Sequence, residues 1–126
     1  MTDKELVARS VEAQARAYAP YSGFKVGAAL LCQSGDTFTG CNIENAAYGS
    51  TNCAERTAIF KAVSEGFTEF SAIAITSSGG KLTFPCGSCL QVMAEFSPSL
   101  RVILCEDGKP PVCHPLKELM PYAFRL

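Results

Sequence analysis

The residues best suited to chemistry in this sequence are cysteines. Pro85 is followed by Cys86 and Cys89, and a third cysteine, Cys53, lies well upstream. Two cysteines three positions apart on a helix point in similar directions, so both thiols can bind one metal ion. In the first turn of a helix, free N–H groups and the helix dipole also stabilise thiolates. The spacing predicts a metal site, and a redox pair or half of a structural zinc ribbon are the alternatives.

The rest of the sequence favours a catalytic zinc site. A ribbon needs a second close cysteine pair, and a thioredoxin-like motif follows an early strand. A catalytic zinc site has three protein ligands and an open position for water. Cys53 supplies the third ligand, and Glu55 is near enough to reach that water without binding the metal. Taken alone, Asn52 and Glu55 also resemble a helix capping box. The remaining cysteines are predicted to be core or strand residues: Cys32, Cys41, Cys105 and Cys113.

Composition limits the choice of partners. The 126 residues suit one domain spanning 1–126, with a formal net charge of −1 and no run of basic residues, which argues against nucleic acid. Only 18% of residues are charged while 48% are hydrophobic, so we expect a homo-oligomer that covers apolar surface. No apolar run is long enough to cross a membrane. The polar start and seven cysteines, an odd number, predict a cytoplasmic protein with reduced thiols.

Periodicity predicts helices alternating with strands. A capping box at Thr2 starts a helix whose buried stripe is Val7, Val11, Ala15 and Tyr18 and which ends at Pro20. Two further helices are expected, one from Cys53 to a stop at Gly66 and one around Cys89 closed by Pro98. A short helix is expected over 115–120. Strands are predicted over 25–32, 37–42, 71–77 and 101–105, the first two joined by a hairpin turn. This order indicates an α/β domain with helices covering a mixed sheet and a parallel β-α-β crossover.

Several segments together carry a family resemblance. Cys53-Ala-Glu55 and Pro85-Cys-Gly-Ser-Cys89 match the signature of zinc deaminases, in the variant where cysteine replaces histidine. The segments 19–28 (APYSGFKVGA), 40–45 (GCNIEN) and 53–58 (CAERTA), with Phe124 near the end, resemble the small, tetrameric cytidine deaminases. The resemblance spans nearly the whole sequence. It implies a three-layer α/β/α cytidine-deaminase-like domain with a mixed sheet of about five strands.

The resemblance also implies a reaction and its residues. One Zn²⁺ per subunit activates water to attack C4 of cytosine, and Glu55 moves the protons to ring N3 and to the departing ammonia. Asn42 and Glu44 match residues that hold the ribose hydroxyls, and Phe24 matches an aromatic that packs on the pyrimidine. The backbone of Ala54 contacts the base. Two further residues are expected at subunit boundaries, Tyr48 and, reaching into a neighbour's site, Phe124.

Three thiolates give the zinc centre a formal charge of −1, which weakens it as an acid. Arg56 is placed to donate to a thiolate and draw charge from the sulfurs. Many relatives also carry an arginine directly after the second cysteine of the pair, where this sequence has Leu90. We expect Leu90 to be tolerated because Arg56 serves the zinc. The alternative is that Leu90 shifts substrate preference or catalytic pH. His114, the single histidine, is not expected to bind metal.

The implied function is zinc-dependent deamination of cytidine and 2′-deoxycytidine in pyrimidine salvage, by a homotetramer with shared active sites. A deaminase of modified cytosine compounds is disfavoured by Asn42 and Glu44, which imply an intact sugar. A polynucleotide deaminase is disfavoured by the charge. A non-catalytic zinc module would have no use for Glu55.

Overall fold

A mixed five-stranded sheet forms the centre of the computed structural model, which describes residues 1–126. The chain order is α1 (Asp3–Gln14), β1 (Val26–Cys32), β2 (Thr37–Cys41), a 3₁₀ turn (Tyr48–Ser50), α2 (Ala54–Ser64), β3 (Phe70–Ser77), α3 (Gly87–Phe96), β4 (Arg101–Leu104), β5 (Val112–Pro115) and α4 (Leu116–Leu119). The strands lie in the order β2-β1-β3-β4-β5. Only β3 and β4 run parallel, and they are joined through α3. The predicted mixed α/β fold and its parallel crossover are confirmed.

Strand alternation divides the core between the two faces of the sheet. One face buries Ala29, Ala72, Ala74 and Ile103 against Leu6 of α1. The other buries the intervening residues, among them Leu30, Ile73, Ile75, Val102 and Leu104, against α2 and α3. Successive strand residues point to opposite faces, so one apolar sheet can bury both. The result is the predicted three-layer arrangement.

The sequence-based prediction for α1 was wrong in its buried face. The capping box at Thr2 forms as expected, but Val11, Ala15 and Tyr18 are exposed. The buried positions are Leu6, Ser10 and Ala13, where the Ser10 hydroxyl lies 2.9 Å from the Thr76 hydroxyl. A polar residue can be buried when it is hydrogen-bonded, which a pattern of apolar residues does not reveal. The helix also ends at Gln14, ahead of Pro20.

A glycine in β2 sets how closely α2 approaches the sheet. A Cβ added at Gly40 would lie 2.5 Å from the Ala54 carbonyl oxygen and 2.5 Å from the Ala58 nitrogen. Both atoms belong to the first turns of α2, the helix that begins directly after Cys53. The start of α2 therefore rests on bare backbone of β2.

The other predicted elements are confirmed within a few residues, and β5 was missed. It is short, lies at the sheet edge, follows Pro111 and ends in Pro115, features that weaken the strand pattern. No helix in the structure is both long enough and apolar enough to span a membrane.

Replacing Gly40 with alanine should separate α2 from β2. We expect the free energy of unfolding to fall by about 1–3 kcal/mol, the usual cost of overpacking a close contact. Chemical denaturation of the purified protein measures this. Gly49→Ala is the matched control because an added Cβ there meets no atom within 4 Å. Equal stability of the two variants would show that a side chain at position 40 does not disturb the packing of α2 on β2.

Candidate active site

Two helix N-termini bring the three predicted cysteines together. Cys53 is the N-cap of α2 and Cys86 is the N-cap of α3, while Cys89 lies in the first turn of α3. The Sγ atoms of Cys53 and Cys86 are 3.8 Å apart, and those of Cys86 and Cys89 are 3.5 Å apart. All three sulfurs lie within 4.8 Å of one another. The free N–H groups at both helix starts face this cluster and favour negative charge there.

The sulfur geometry fits a zinc ion. A tetrahedral zinc ion at about 2.3 Å from each sulfur holds its ligands about 3.8 Å apart. The observed separations lie close to that value, with no disulfide formed between any of the seven cysteines. Three sulfurs fill three corners of a tetrahedron, so the residues present suit a metal with one open position rather than a closed structural site.

Arg56 contacts the cluster from one side. Its Nη2 donates to Cys53 Sγ over 3.3 Å, and the same atom lies 3.4 Å from the Thr51 carbonyl oxygen. The pKa of Arg56 is raised, chiefly by its hydrogen bond to the Cys53 sulfur. The pKa of Cys53 is lowered to about 5, chiefly by the neighbouring Cys89 sulfur and further by the hydrogen bond from Arg56. The same pair of neighbouring sulfurs raises the pKa of Cys89.

Glu55 lies beside the sulfurs and is almost fully buried, with 4% of its surface exposed. Burial raises its pKa to about 7, since removing a carboxylate from water disfavours its charged form. The alternative role as a capping-box residue is not realised, because the start of α2 has no side-chain cap and the Asn52 amide instead donates to the Thr57 hydroxyl. Glu55 is therefore available to hold or release a proton near neutral pH.

A cavity of about 280 Å³ opens onto this cluster, near the lower end of the range for small-molecule pockets. Two larger cavities, of about 460 and 580 Å³, lie elsewhere and contain none of the three sulfurs. The lining of the smaller cavity includes most of the predicted site residues: Phe24, Asn42, Glu44, Tyr48, Cys53, Ala54, Glu55 and Cys86. It also includes residues that were not predicted: Ser22, Val26, Thr51, Thr83 and Phe84.

Asn42 and Glu44 hold the loop that carries Phe24. The Asn42 amide accepts from the Val26 N–H and donates to the Phe24 carbonyl, both over 2.8 Å. The Glu44 carboxylate accepts from the backbone N–H groups of Tyr21 and Ser22 over 3.0 and 3.1 Å. It also accepts from the Ser22 hydroxyl over 2.5 Å. The Ser22 hydroxyl contact is the main cause of the lowered pKa of Glu44.

The remaining candidates lie at or beyond the cavity mouth. Tyr48 is exposed and contacts Tyr21 edge to face, with ring centroids 6.2 Å apart. Phe124 is 67% exposed and does not line its own chain's cavity. Leu90 packs against the main core. His114 is absent from the sulfur cluster, but its ring packs on Phe84, so it lies nearer the site than its sequence position indicates.

The cavity residues that were not predicted differ in how clearly the sequence points to them. Ser22 lies inside the segment 19–28 and could have been found as the donor next to Phe24. Phe84 directly precedes Pro85 and the cysteine pair, and only that adjacency points to it. Thr51 and Thr83 have no distinctive pattern.

Comparison with known proteins agrees with this geometry. The sequence model of the family described as "Cytidine and deoxycytidylate deaminase zinc-binding region" matches residues 1–105. A curated cytidine deaminase of Sporosarcina psychrophila is 54% identical over 96 residues, covering 76% of this chain and 71% of that protein.

Solved structures give the same result over the full length. A cytidine deaminase from Burkholderia pseudomallei is 46% identical with a TM-score of 0.93, covering 98% of this chain and 100% of the other. One from Mycobacterium tuberculosis is 38% identical with a TM-score of 0.87, covering 100% and 99%. This chain, whose cavity opens onto a cluster of three thiols and is lined by a buried carboxylate, belongs to the cytidine and deoxycytidylate deaminase zinc-binding family.

Proposed function

We propose that this protein is a cytidine deaminase, which hydrolyses cytidine and 2′-deoxycytidine to uridine and 2′-deoxyuridine with release of ammonia. The observation that carries the proposal is one cavity lined by two of the three clustered sulfurs, by the buried Glu55 and by the hydrogen-bonding pair Asn42 and Glu44. Its size suits a nucleoside, and a net charge of −1 without any run of basic residues disfavours a polynucleotide. Such a hydrolase of a cyclic amidine C–N bond serves pyrimidine salvage, and we place it in the cytoplasm, consistent with seven free thiols.

Cys53, Cys86 and Cys89 would hold the zinc ion, and Arg56 would offset their charge through Cys53. When bound there, Zn²⁺ would supply Lewis-acid activation of the attacking water molecule. Glu55 would take one proton from this water as its oxygen adds to C4 of the cytosine ring, and would deliver that proton to ring N3. Glu55 would then take the remaining proton of the new C4 hydroxyl group and pass it to the amino group, so that C4 becomes a carbonyl carbon and the C–N bond breaks to release ammonia. A carboxyl pKa of about 7 suits a group that must both accept and donate a proton near neutrality.

The remaining cavity residues would orient the nucleoside. The N–H of Ala54 is at the first position of α2 and has no carbonyl partner, so it can donate to the base. The Asn42 amide uses one donor and one acceptor within the chain and keeps one of each free. The Glu44 carboxylate likewise retains room to accept from a sugar hydroxyl. Phe24 provides an apolar surface for the pyrimidine.

We further propose that the 126 residues form one domain and assemble as a homotetramer with shared active sites. The family match ends at residue 105, but β5 pairs with β4 and α4 packs on the same core. Tyr48, which lines the cavity, belongs to a group of exposed apolar side chains linked by ring contact or backbone pairing: Tyr18, Tyr21, Ile43 and Tyr48. Arg56 Nε is buried without a partner in its own chain, a costly arrangement that a neighbouring subunit would relieve.

Glu55→Gln should keep about one zinc ion per chain but lower kcat for cytidine by at least about 10²–10⁴-fold, the usual contribution of a proton-transferring side chain. Zinc content by mass spectrometry and the ultraviolet change from cytosine to uracil measure the two effects. Glu65→Gln is the control, because Glu65 is the exposed C-cap residue at the other end of α2. A zinc-loaded Glu55→Gln protein with a near-normal rate contradicts the role of Glu55. A wild type inactive on cytidine, deoxycytidine, CMP and single-stranded DNA contradicts the function itself.

Ser22→Ala should raise the pKa of Glu44 toward its ordinary value of 4.5, because the hydroxyl is the main group stabilising the carboxylate. A lowered folded-state pKa stabilises the fold above the unfolded pKa, and this stabilisation is lost as the pH falls through the folded pKa. The destabilisation caused by Ser22→Ala should therefore shrink on acidification. Carbon NMR titration of the Glu44 carboxyl measures the pKa directly. In a Glu44→Gln background the penalty should not depend on pH, and a pH-independent penalty with Glu44 present would refute the assignment.

Phe124→Ala should lower kcat/KM for cytidine while the assembly keeps a molar mass near four times the 13.4 kDa chain. Co-expression with Glu55→Gln should restore activity, because in mixed tetramers an intact Phe124 from one subunit can meet an intact Glu55 in another. Co-expression with the double variant Glu55→Gln/Phe124→Ala provides no Phe124 and should restore none. Light scattering measures the mass. Failure of the first mixture to recover activity would place Phe124 in its own subunit's site or outside any site.

A further inference from the structure

Phe84 lines the same cavity as Glu55 yet has no part in binding zinc or moving protons. Its side chain is 51% exposed, and it lies in the segment between β3 and α3 that leads directly to Cys86. Ligand pockets are lined mainly by apolar and aromatic side chains, with a few polar groups fixing orientation. A half-exposed aromatic ring in this cavity is therefore apolar surface available to the substrate.

The ring of Phe84 is a fixed wall rather than a mobile surface group. Pro85 restricts the residue before it to an extended backbone. On the other side, the Thr83 hydroxyl lies 2.5 Å from the Ser77 hydroxyl at the end of β3. The ring itself packs on His114, with centroids 5.7 Å apart, and His114 Nδ1 lies 3.2 Å from a Glu118 carboxylate oxygen. Backbone and side chain are thus held by separate contacts.

The placement of the cavity residues indicates which edge of a pyrimidine meets this wall. With C4 at the sulfurs and the sugar at Asn42 and Glu44, the base lies along the cavity with N3 and C5 on opposite sides. Ala54 and Glu55, at the start of α2, take the N3 side. The segment from Thr83 to Cys86 reaches the sulfurs from the other helix, so it borders the C5 side.

We propose that Phe84 is a specificity-determining residue that limits the size of the substituent on C5 of the pyrimidine. The proposal rests on the proposed deaminase function and adds that substrates are discriminated at the C5 edge of the base. Hydrogen at C5 leaves the wall undisturbed, whereas a methyl group or a larger group must displace a ring held by its backbone and by His114.

The test compares kcat/KM for 5-methylcytidine with kcat/KM for cytidine in each variant, so that intrinsic differences between the substrates cancel across variants. Phe84→Ala should raise this ratio about tenfold or more, because one methylene in a pocket changes discrimination by about 10- to 200-fold. Phe84→Leu should raise it less, and Phe84→Trp should lower it. Phe60→Ala removes a similarly exposed ring on α2, outside the cavity, and should leave the ratio unchanged.

A ratio that stays constant across the Phe84 variants overturns the proposal. A change of assembly in a Phe84 variant, measured by light scattering, also overturns the proposal. Phe84 would then act between subunits and not on the substrate. Should Phe84→Ala fail to fold, the opposite shifts expected for Phe84→Leu and Phe84→Trp still decide. Absence of cytidine turnover in the wild type is a separate result, which refutes the deaminase function and not this wall.

Discussion

The concentration of negative charge around Cys53, Cys86 and Cys89 is the constraint on which the structure depends. Three sulfurs within a few ångströms of one another and a carboxyl group beside them would repel strongly if all were ionised. The fold opposes this repulsion in two ways. Helices α2 and α3 both begin at the sulfur cluster, so the positive ends of their dipoles meet there, and the Arg56 guanidinium donates a hydrogen bond to Cys53. Both helices pack in the same core cluster on one face of the sheet, and the start of α2 lies very close to β2. The bare backbone at Gly40 permits that approach.

The opposite end of the cavity is organised by hydrogen bonds rather than by charge compensation. Asn42 and Glu44 follow β2, and their side chains satisfy backbone groups in the loop that precedes β1. That loop carries Phe24, so the residues proposed to bind the sugar also place the ring proposed to bind the base. The Asn42 and Glu44 side chains would therefore serve both the ligand and the loop that carries Phe24. A substitution at either residue would affect both.

Sequence reasoning located the sulfur cluster better than it located the buried surfaces. The cysteines and Glu55 could be predicted because zinc chemistry fixes residue type and spacing together, and the order of elements followed from strong apolar runs. The buried face of α1 could not, because Ser10 is buried through a hydroxyl contact with Thr76 that forms only after folding. Phe84 was missed for a related reason. An aromatic residue beside a proline looks like ordinary core, and only the cavity shows that half of its ring remains uncovered.

The dual use of Asn42 and Glu44 has an evolutionary consequence. A substitution at either position would disturb both the fold and the proposed sugar contact, so few single substitutions at that end of the pocket would preserve function. The Phe84 side chain in the segment before Cys86 packs on His114 but satisfies no backbone group of another loop, so a substitution there should change the pocket with less effect on the fold. Divergence of substrate range in descendants of this protein should therefore accumulate at the base edge, while the sugar end remains an inherited and nearly invariant part of the scaffold.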